Sequence, residues 1–221
     1  MVLKFVKSLV IKYINYKENN IAYIVCIDGN IASGKTTVLT EIQKKGYPVY
    51  FEPFEENPWL PLYYKDPKQY SLNTQLWFLS ERFRQYKQAD FHSDKIVFIE
   101  RSIYTDRFIF VELIRRQGNM NDLEFNTYRH HFNIYKNPLP DLTIVLNPSA
   151  KMSKERRDNR GRGMESSVPL DYLQQLGEVY TENYDKLGVK AIKKYFPFEP
   201  EKIADLIIEE AEKNFHEYEG I

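Results

Sequence analysis

Gly29-Asn30-Ile31-Ala32-Ser33-Gly34-Lys35-Thr36 decides how this 221-residue chain is read. The stretch fits G-x-x-x-x-G-K-[ST], a phosphate-binding loop. An apolar run, Ile21 to Ile27, precedes it with the length of a buried strand. Thr37 to Lys45, behind it, reads as a helix. In that order each residue type has a task. Gly29 and Gly34 let the backbone turn and bring its N–H groups against a polyphosphate. The helix N-terminus faces the same anion. Lys35 adds a positive charge, and the Thr36 hydroxyl can ligate Mg²⁺. A plain strand-to-helix turn with two glycines is the alternative, and Lys35-Thr36 together with the strand argue against it.

Outward from the loop, strands alternate with helices. Further strands are expected at 48–51, 95–99, 142–146 and 189–195. Helices are expected from Asp66-Pro67 to about Ala89, where Asp caps and Pro takes the first helical position. Others run from about Ser102, from Asn121-Asp122-Leu123-Glu124, which resembles a capping box, to about Lys136, from Pro148 into the basic tract Arg156 to Arg162, from Pro169-Leu170, and from Pro200. This alternation predicts an α/β fold with a parallel sheet of about five strands and helices on both faces. The length suits one domain over 21–221, with a small lid at about 156–168. Residues 1–20 form a basic extension with Lys4, Lys7, Lys12 and Lys17, and apolar residues at helical spacing. A mitochondrial presequence would favour Arg and Ser, and this stretch has no Arg and one Ser.

Lys+Arg and Asp+Glu are both 31, so the formal net charge is zero. That gives no general pull toward nucleic acid or an anionic membrane. The single cysteine, Cys26, allows no internal disulfide and suits a reducing, cytoplasmic compartment. No apolar run approaches the roughly 20 residues of a membrane span.

Ligands of such sheets gather at the carboxyl ends of the strands. Strand two ends in Glu52-Pro53, and strand three in Glu100-Arg101-Ser102. A carboxylate at Glu52 would face the phosphate loop and could accept a proton from an attacking hydroxyl. Glu100 lies where an acid that organises Mg²⁺ is wanted, and Arg101 could offset charge on a transferring group. Each, alone, also reads as a solvated charge at a loop end.

The ordered set of motifs resembles the deoxyribonucleoside kinases. It comprises Gly29 to Thr37, Glu52-Pro53, Tyr64 and Gln75, Glu100-Arg101-Ser102-x-x-x-Asp106-Arg107, and Arg156…Arg160-Gly161-Arg162. The resemblance implies a P-loop kinase fold with an Arg-rich lid, and transfer of the γ-phosphoryl group of ATP, with Mg²⁺, to the 5′-hydroxyl of a deoxynucleoside. It makes Glu52 the base, with Arg101 beside it and Lys35 on the phosphates. Thr36 and Glu100 become the metal residues. Tyr64 and Glu165 hold the sugar 3′-hydroxyl, Gln75 pairs with the base edge, and Phe110 packs on the base plane. Arg156, Arg160 and Arg162 close on the donor phosphates, a task that suits the planar guanidinium fork. A solvated basic helix end and an ordinary core position are the plainer readings of that tract and of Phe110.

Arg82 and Asp106 match an Arg–Asp pair of the deoxycytidine and deoxyguanosine kinase branch. A carboxylate held by Arg can accept from an exocyclic amine, whereas a purely structural ion pair would read no base. By the same resemblance, Phe78 sits where relatives have small residues near the position that would admit the thymine methyl, and its ring should crowd that methyl. Deoxycytidine or a purine deoxynucleoside is therefore expected over thymidine. The resemblance also suggests a homodimer through the helices around 72–89 and 103–118. It leaves unassigned the grip on the adenine, whose family loop would fall near 196–199. A thymidine kinase of the same family, a nucleoside monophosphate kinase and a non-catalytic nucleotide-binding protein are the competing classes.

Overall fold

The computed structural model describes residues 22–92, 95–160, 168–193 and 198–219. The basic extension 1–20, Arg162, Glu165 and the side chain of Arg160 lie outside what it describes. β1 (Tyr23–Gly29) is followed by α1 (Lys35–Lys44), β2 (Val49–Tyr50), a 3₁₀ turn at Phe54–Glu56, α2 (Leu60–Lys65) and α3 (Pro67–Asp90). Then come β3 (Ile96–Glu100), α4, α5 (Asp122–Tyr135), β4 (Leu142–Leu146), α6 (Ala150–Arg160), α7 (Leu170–Glu182), β5 (Val189–Lys193) and α8 (Pro200–Glu219). α4 runs through Ile103–Thr105, a π-helical turn Asp106–Phe110, and Val111–Arg116.

The five strands form one parallel sheet in the order β2-β3-β1-β4-β5. β1 lies at its centre with all seven residues buried, which is why it reads as an unbroken apolar run. Its side chains alternate between the two faces. Tyr23, Val25 and Ile27 pack with Val38, Leu39 and Ile42 of α1 and with Ile203, Ile207 and Phe215 of α8. Ile24 and Cys26 pack with Tyr86 and Ala89 of α3. The helix after β1 therefore covers one face, while α4, which follows its neighbour β3, joins the core on the other. The chain parts in opposite directions from two adjacent strand ends, and a crevice opens there.

Local chemistry sets the ends of the elements. Asp66 accepts from Gln69 N at 3.1 Å and Pro67 follows it, which fixes the start of the 24-residue α3. Asn121 and Glu124 make a reciprocal capping box at 3.0 and 2.8 Å. β2 is shorter than the expected 48–51. Pro48 offers only a carbonyl, which accepts from Phe98 N at 2.9 Å. The Phe51 carbonyl is taken by Gln85 Nε2 at 2.6 Å instead of by a strand. The π turn in α4 was not foreseen; such turns add one residue to the helical repeat and re-aim side chains. Here it carries Asp106 and Phe110.

Candidate active site

The phosphate loop is tied down from several directions. Gly29 has φ 137° and Gly34 φ 98°, backbone that a residue with a Cβ resists. Asp28, fully buried, accepts from Gly29 N at 2.7 Å and from the Tyr180 hydroxyl at 2.8 Å on one oxygen, and from Thr105 Oγ1 at 2.5 Å on the other. Asn30 Nδ2 donates to Leu173 O at 2.8 Å. Lys35 Nζ turns back onto the loop, donating to Asn30 O at 2.9 Å and Gly29 O at 3.2 Å. Burial, then the nearby Arg101, lowers its pKa to about 7; Glu100, Glu52 and Asp28 oppose the shift. An anion in the loop would offer Lys35 a better partner than two neutral carbonyls.

Glu100 stands across from the loop. Its Oε1 accepts from Thr36 Oγ1 at 3.0 Å and its Oε2 from Glu52 N at 3.3 Å. A hydroxyl and a carboxylate brought together make an oxygen-donor set of the kind Mg²⁺ takes, alongside phosphate oxygens and water. Among the described residues no group of three or more His, Cys, Asp or Glu converges as a metal cage.

Two guanidinium groups enclose the Glu52 carboxylate. Arg82 Nη2 donates to Oε1 at 2.7 Å, and Arg101 Nε lies 3.4 Å from Oε2. Burial pushes the Glu52 pKa up, but Arg82, Arg101 and Lys35 outweigh it and bring it down to about 2. Arg82 also gives Nε to both oxygens of Asp106, at 2.8 and 2.7 Å. Asp106 responds oppositely: burial prevails over Arg82 and raises its pKa to about 7. One cation thus serves two carboxylates, and the deeper one loses. Arg101 adopts φ 66°, rare for a side-chain-bearing residue, at the turn out of β3. Its Nη2 donates to Gly29 O at 3.2 Å and its guanidinium stacks 4.6 Å from the Phe110 ring centre.

The crevice continues to an aromatic end lined by Tyr63, Tyr64, Phe78, Phe110 and Tyr172. Gln75 and Thr74 face the same space and are 4 % and 0 % exposed. Gln75 Oε1 and Thr74 Oγ1 have no hydrogen-bond partner among the described residues. Buried polar atoms so placed are costly unless a ligand satisfies them. At the opposite end, Arg156 Nη1 donates to Ser33 O at 3.1 Å and stacks 4.1 Å from the Phe198 ring centre. Phe198 lies directly over the loop: a Cβ on Gly34 would come 2.4 Å from its Cζ.

Of the residues expected at the site, Ile31 to Thr37, Glu52, Tyr64, Gln75, Phe78, Arg82, Glu100, Arg101, Asp106 and Phe110 all line this one crevice. Gly29 and Asn30 lie beneath it and Arg156 at its rim. Asp28, Thr74, Tyr63, Thr105, Tyr172 and Tyr180 were not singled out from sequence, and Phe198 only as part of the stretch near 196–199 that the resemblance assigns to the adenine loop. Only Asp28 left a signal, as a carboxylate ending an apolar strand next to Gly29.

Fold and site describe a P-loop nucleotide-binding protein whose acceptor pocket is walled by aromatic rings and carboxylates. The family profile described as "Deoxynucleoside kinase" matches residues 25–219. The chain belongs to that family. A deoxyguanosine kinase of Dictyostelium discoideum is 34% identical over 171 residues, 74% of this chain and 59% of the relative. A deoxyadenosine kinase of the same organism is 34% identical over 200 residues, 85% of this chain and 79% of the relative. A deoxyadenosine kinase from M. mycoides, solved with the product dCMP and a flexible dCDP, superposes with a TM-score of 0.75 at 28% identity. That match covers 86% of this chain and 99% of the other. Among the described residues no helix is long and apolar enough to cross a membrane.

Proposed function

We propose that this protein transfers the γ-phosphoryl group of ATP to the 5′-hydroxyl of a deoxynucleoside, with deoxycytidine or a purine deoxynucleoside preferred to thymidine. The observation that carries the reading is the Glu52 carboxylate, ionised and held by Arg82 and Arg101 at the mouth of the phosphate loop. Glu52 orients the hydroxyl and accepts its proton as the new bond forms. Its depressed pKa means that it is ionised throughout the neutral range, so it positions and receives rather than stores a proton. Arg101 and Lys35 stabilise negative charge that builds on the transferring group. Thr36 and Glu100 would hold Mg²⁺, which when bound neutralises donor phosphate charge.

The other end reads the base. Gln75 offers a donor and an acceptor side by side, the pattern of a base edge. Phe110 supplies a ring face whose opposite side is already braced by Arg101. Asp106, held by Arg82, accepts from an exocyclic amine, and Phe78 crowds a methyl group beside it. Tyr64 and Glu165 take the sugar 3′-hydroxyl, and Arg156, Arg160 and Arg162 close over the donor. Phe198, stacked with Arg156 on Gly34, belongs to the donor side.

Turnover of the four natural deoxynucleosides with ATP and Mg²⁺ tests the reading. Thymidine should trail the best substrate by at least about tenfold in kcat/KM. The joint change Arg82→Met with Asp106→Ala should narrow that ratio, and it is made jointly because either half alone leaves an unpaired buried charge. No turnover with any deoxynucleoside, or a preference for thymidine, would overturn the proposal.

A further inference from the structure

We propose that Arg82 is a positioning residue for the Glu52 carboxylate, so that the group a base presents to Asp106 is read in the rate of phosphoryl transfer as well as in binding. The inference rests on the kinase reading above and deepens it. The Arg82 guanidinium is engaged on every nitrogen. Nε is shared by the two Asp106 oxygens at 2.8 and 2.7 Å, Nη1 donates to Glu100 O at 3.3 Å, and Nη2 donates to Glu52 Oε1 at 2.7 Å. Arg82 and Asp106 are 3 % and 1 % exposed, so water offers little replacement. The second oxygen of Glu52 meets Arg101 Nε at 3.4 Å, without the alignment of a hydrogen bond. Among the described residues Arg82 therefore makes the one close side-chain hydrogen bond to this carboxylate.

The two ends of the ligand site share one rigid, planar cation. An amine offered to Asp106 donates to an oxygen with lone pairs to spare and leaves the guanidinium in place. With Asp106 ionised, above about pH 7, a carbonyl at the same point meets an acceptor. The N–H groups able to answer it belong to Arg82, whose Nη arms are engaged with Glu52 and Glu100 O. A planar fork cannot redirect one arm alone. Turning it toward the carbonyl draws Nη2 off Glu52, which is then left to its looser contact with Arg101. A displacement on the order of 1 Å from the reactive arrangement is enough to slow a reaction severely. Discrimination against the wrong base thus enters kcat through the catalytic carboxylate.

Two substrate pairs probe the effect; each also turns the adjacent ring nitrogen from acceptor to N–H donor, so the Asp106→Asn variant, which leaves Gln75 in place, separates the two contributions. Deoxycytidine against deoxyuridine, and deoxyadenosine against deoxyinosine, each exchange an amine for a carbonyl on the same ring carbon, and none carries the thymine methyl. Turnover is measured at about pH 8, where Asp106 is ionised, at saturating nucleoside with ATP and Mg²⁺, and nucleoside affinity by calorimetry. In the wild type the carbonyl member of each pair should show kcat lower by at least about tenfold, beyond its weaker binding. Asp106→Asn, whose amide can donate to a carbonyl, should close the kcat gap to within about threefold. Arg82→Lys, which keeps the charge and loses the fork, should lower kcat for the amino members by about tenfold or more while their Kd moves less. Equal kcat within each pair in the wild type, with all discrimination in Kd, overturns the inference. So does wild-type kcat in a folded Arg82→Lys protein. If either variant fails to fold, the wild-type pairs still decide. A wild type inert on all four nucleosides refutes the kinase reading itself, an outcome separate from equal turnover.

Discussion

Replacing Gly29 by alanine tests the anchoring of the phosphate loop more sharply than any change to a charged residue. At φ 137° a Cβ is strained whatever space surrounds it, a cost of about 1–3 kcal/mol. The added methyl would also lie 2.2 Å from Leu146 O and 3.0 Å from Ser33 Oγ. Leu146 O is backbone of β4, paired with β1 at Gly29 itself, so it can move only if the strands separate. Overpacking of that kind costs about another 1–3 kcal/mol. The sum, about 2–6 kcal/mol, is a large part of the roughly 5–15 kcal/mol that keeps a domain folded. Gly34→Ala makes the control. Its backbone is also left-handed, φ 98°, but its Cβ would meet the Phe198 ring, a side chain that can swing aside. Urea unfolding followed by the fluorescence of Trp59 and Trp77 should put Gly29→Ala below Gly34→Ala by about 1–3 kcal/mol, with a lower midpoint and an unchanged slope. Equal losses, or wild-type stability for Gly29→Ala, would show that β1 and β4 do not clamp the loop as described.

Glu52→Gln should reduce kcat by roughly 10²–10⁴ and leave the nucleoside Kd within about tenfold, measured by steady-state kinetics and calorimetry; near-normal turnover would remove Glu52 as the base. Arg156→Ala should raise KM for ATP and slow turnover without changing nucleoside affinity, because it touches the loop carbonyl of Ser33 and Phe198 rather than the acceptor pocket; weakened nucleoside binding at a normal maximal rate would place it on the wrong side. Asp106 has its folded pKa raised to about 7, above that of an unfolded aspartate. Between about pH 4 and 7 the native state therefore holds a proton the unfolded chain does not, and this group's contribution to stability declines as pH rises through that window. Asp106→Asn should accordingly compare more favourably with wild type at pH 8 than at pH 5 in urea melts, and a stability difference independent of pH would contradict the shift.

What could be read from the chain beforehand followed local pattern. The phosphate loop is a spacing, β1, β3 and β4 are apolar runs, and the starts of α3 and α5 are capping residues. Glu52, Glu100 and Arg101 could be placed because parallel sheets put function at strand ends. The missed residues have no local pattern to betray them. Tyr180 reaches Asp28 across 152 residues. The π turn of α4 carries Asp106, buried at 1 % exposure, and no helical periodicity announces it. The resemblance supplied Arg82 and Asp106 as a pair. Their shared use of Arg82 with Glu52 required the geometry.

The central position of β1 has a consequence for how the protein comes into being. The strand leading into the phosphate loop is made before both of its neighbours. β3 begins at Ile96 and β4 at Leu142. The bond from Ile24 N to Asp141 spans 117 residues, and the Tyr180 hydroxyl that steadies Asp28 and Gly29 comes later still. Pairings so distant in sequence form slowly, because loop closure must precede any gain from contact. Until then a seven-residue apolar strand waits on the ribosome with both edges open, a state prone to association with other chains. The loop therefore acquires its full set of contacts only once the chain has been made through Tyr180. A nascent chain halted before Leu142 would display the glycine motif in full and lack the β4 neighbour and the Tyr180 hydroxyl that hold it in shape.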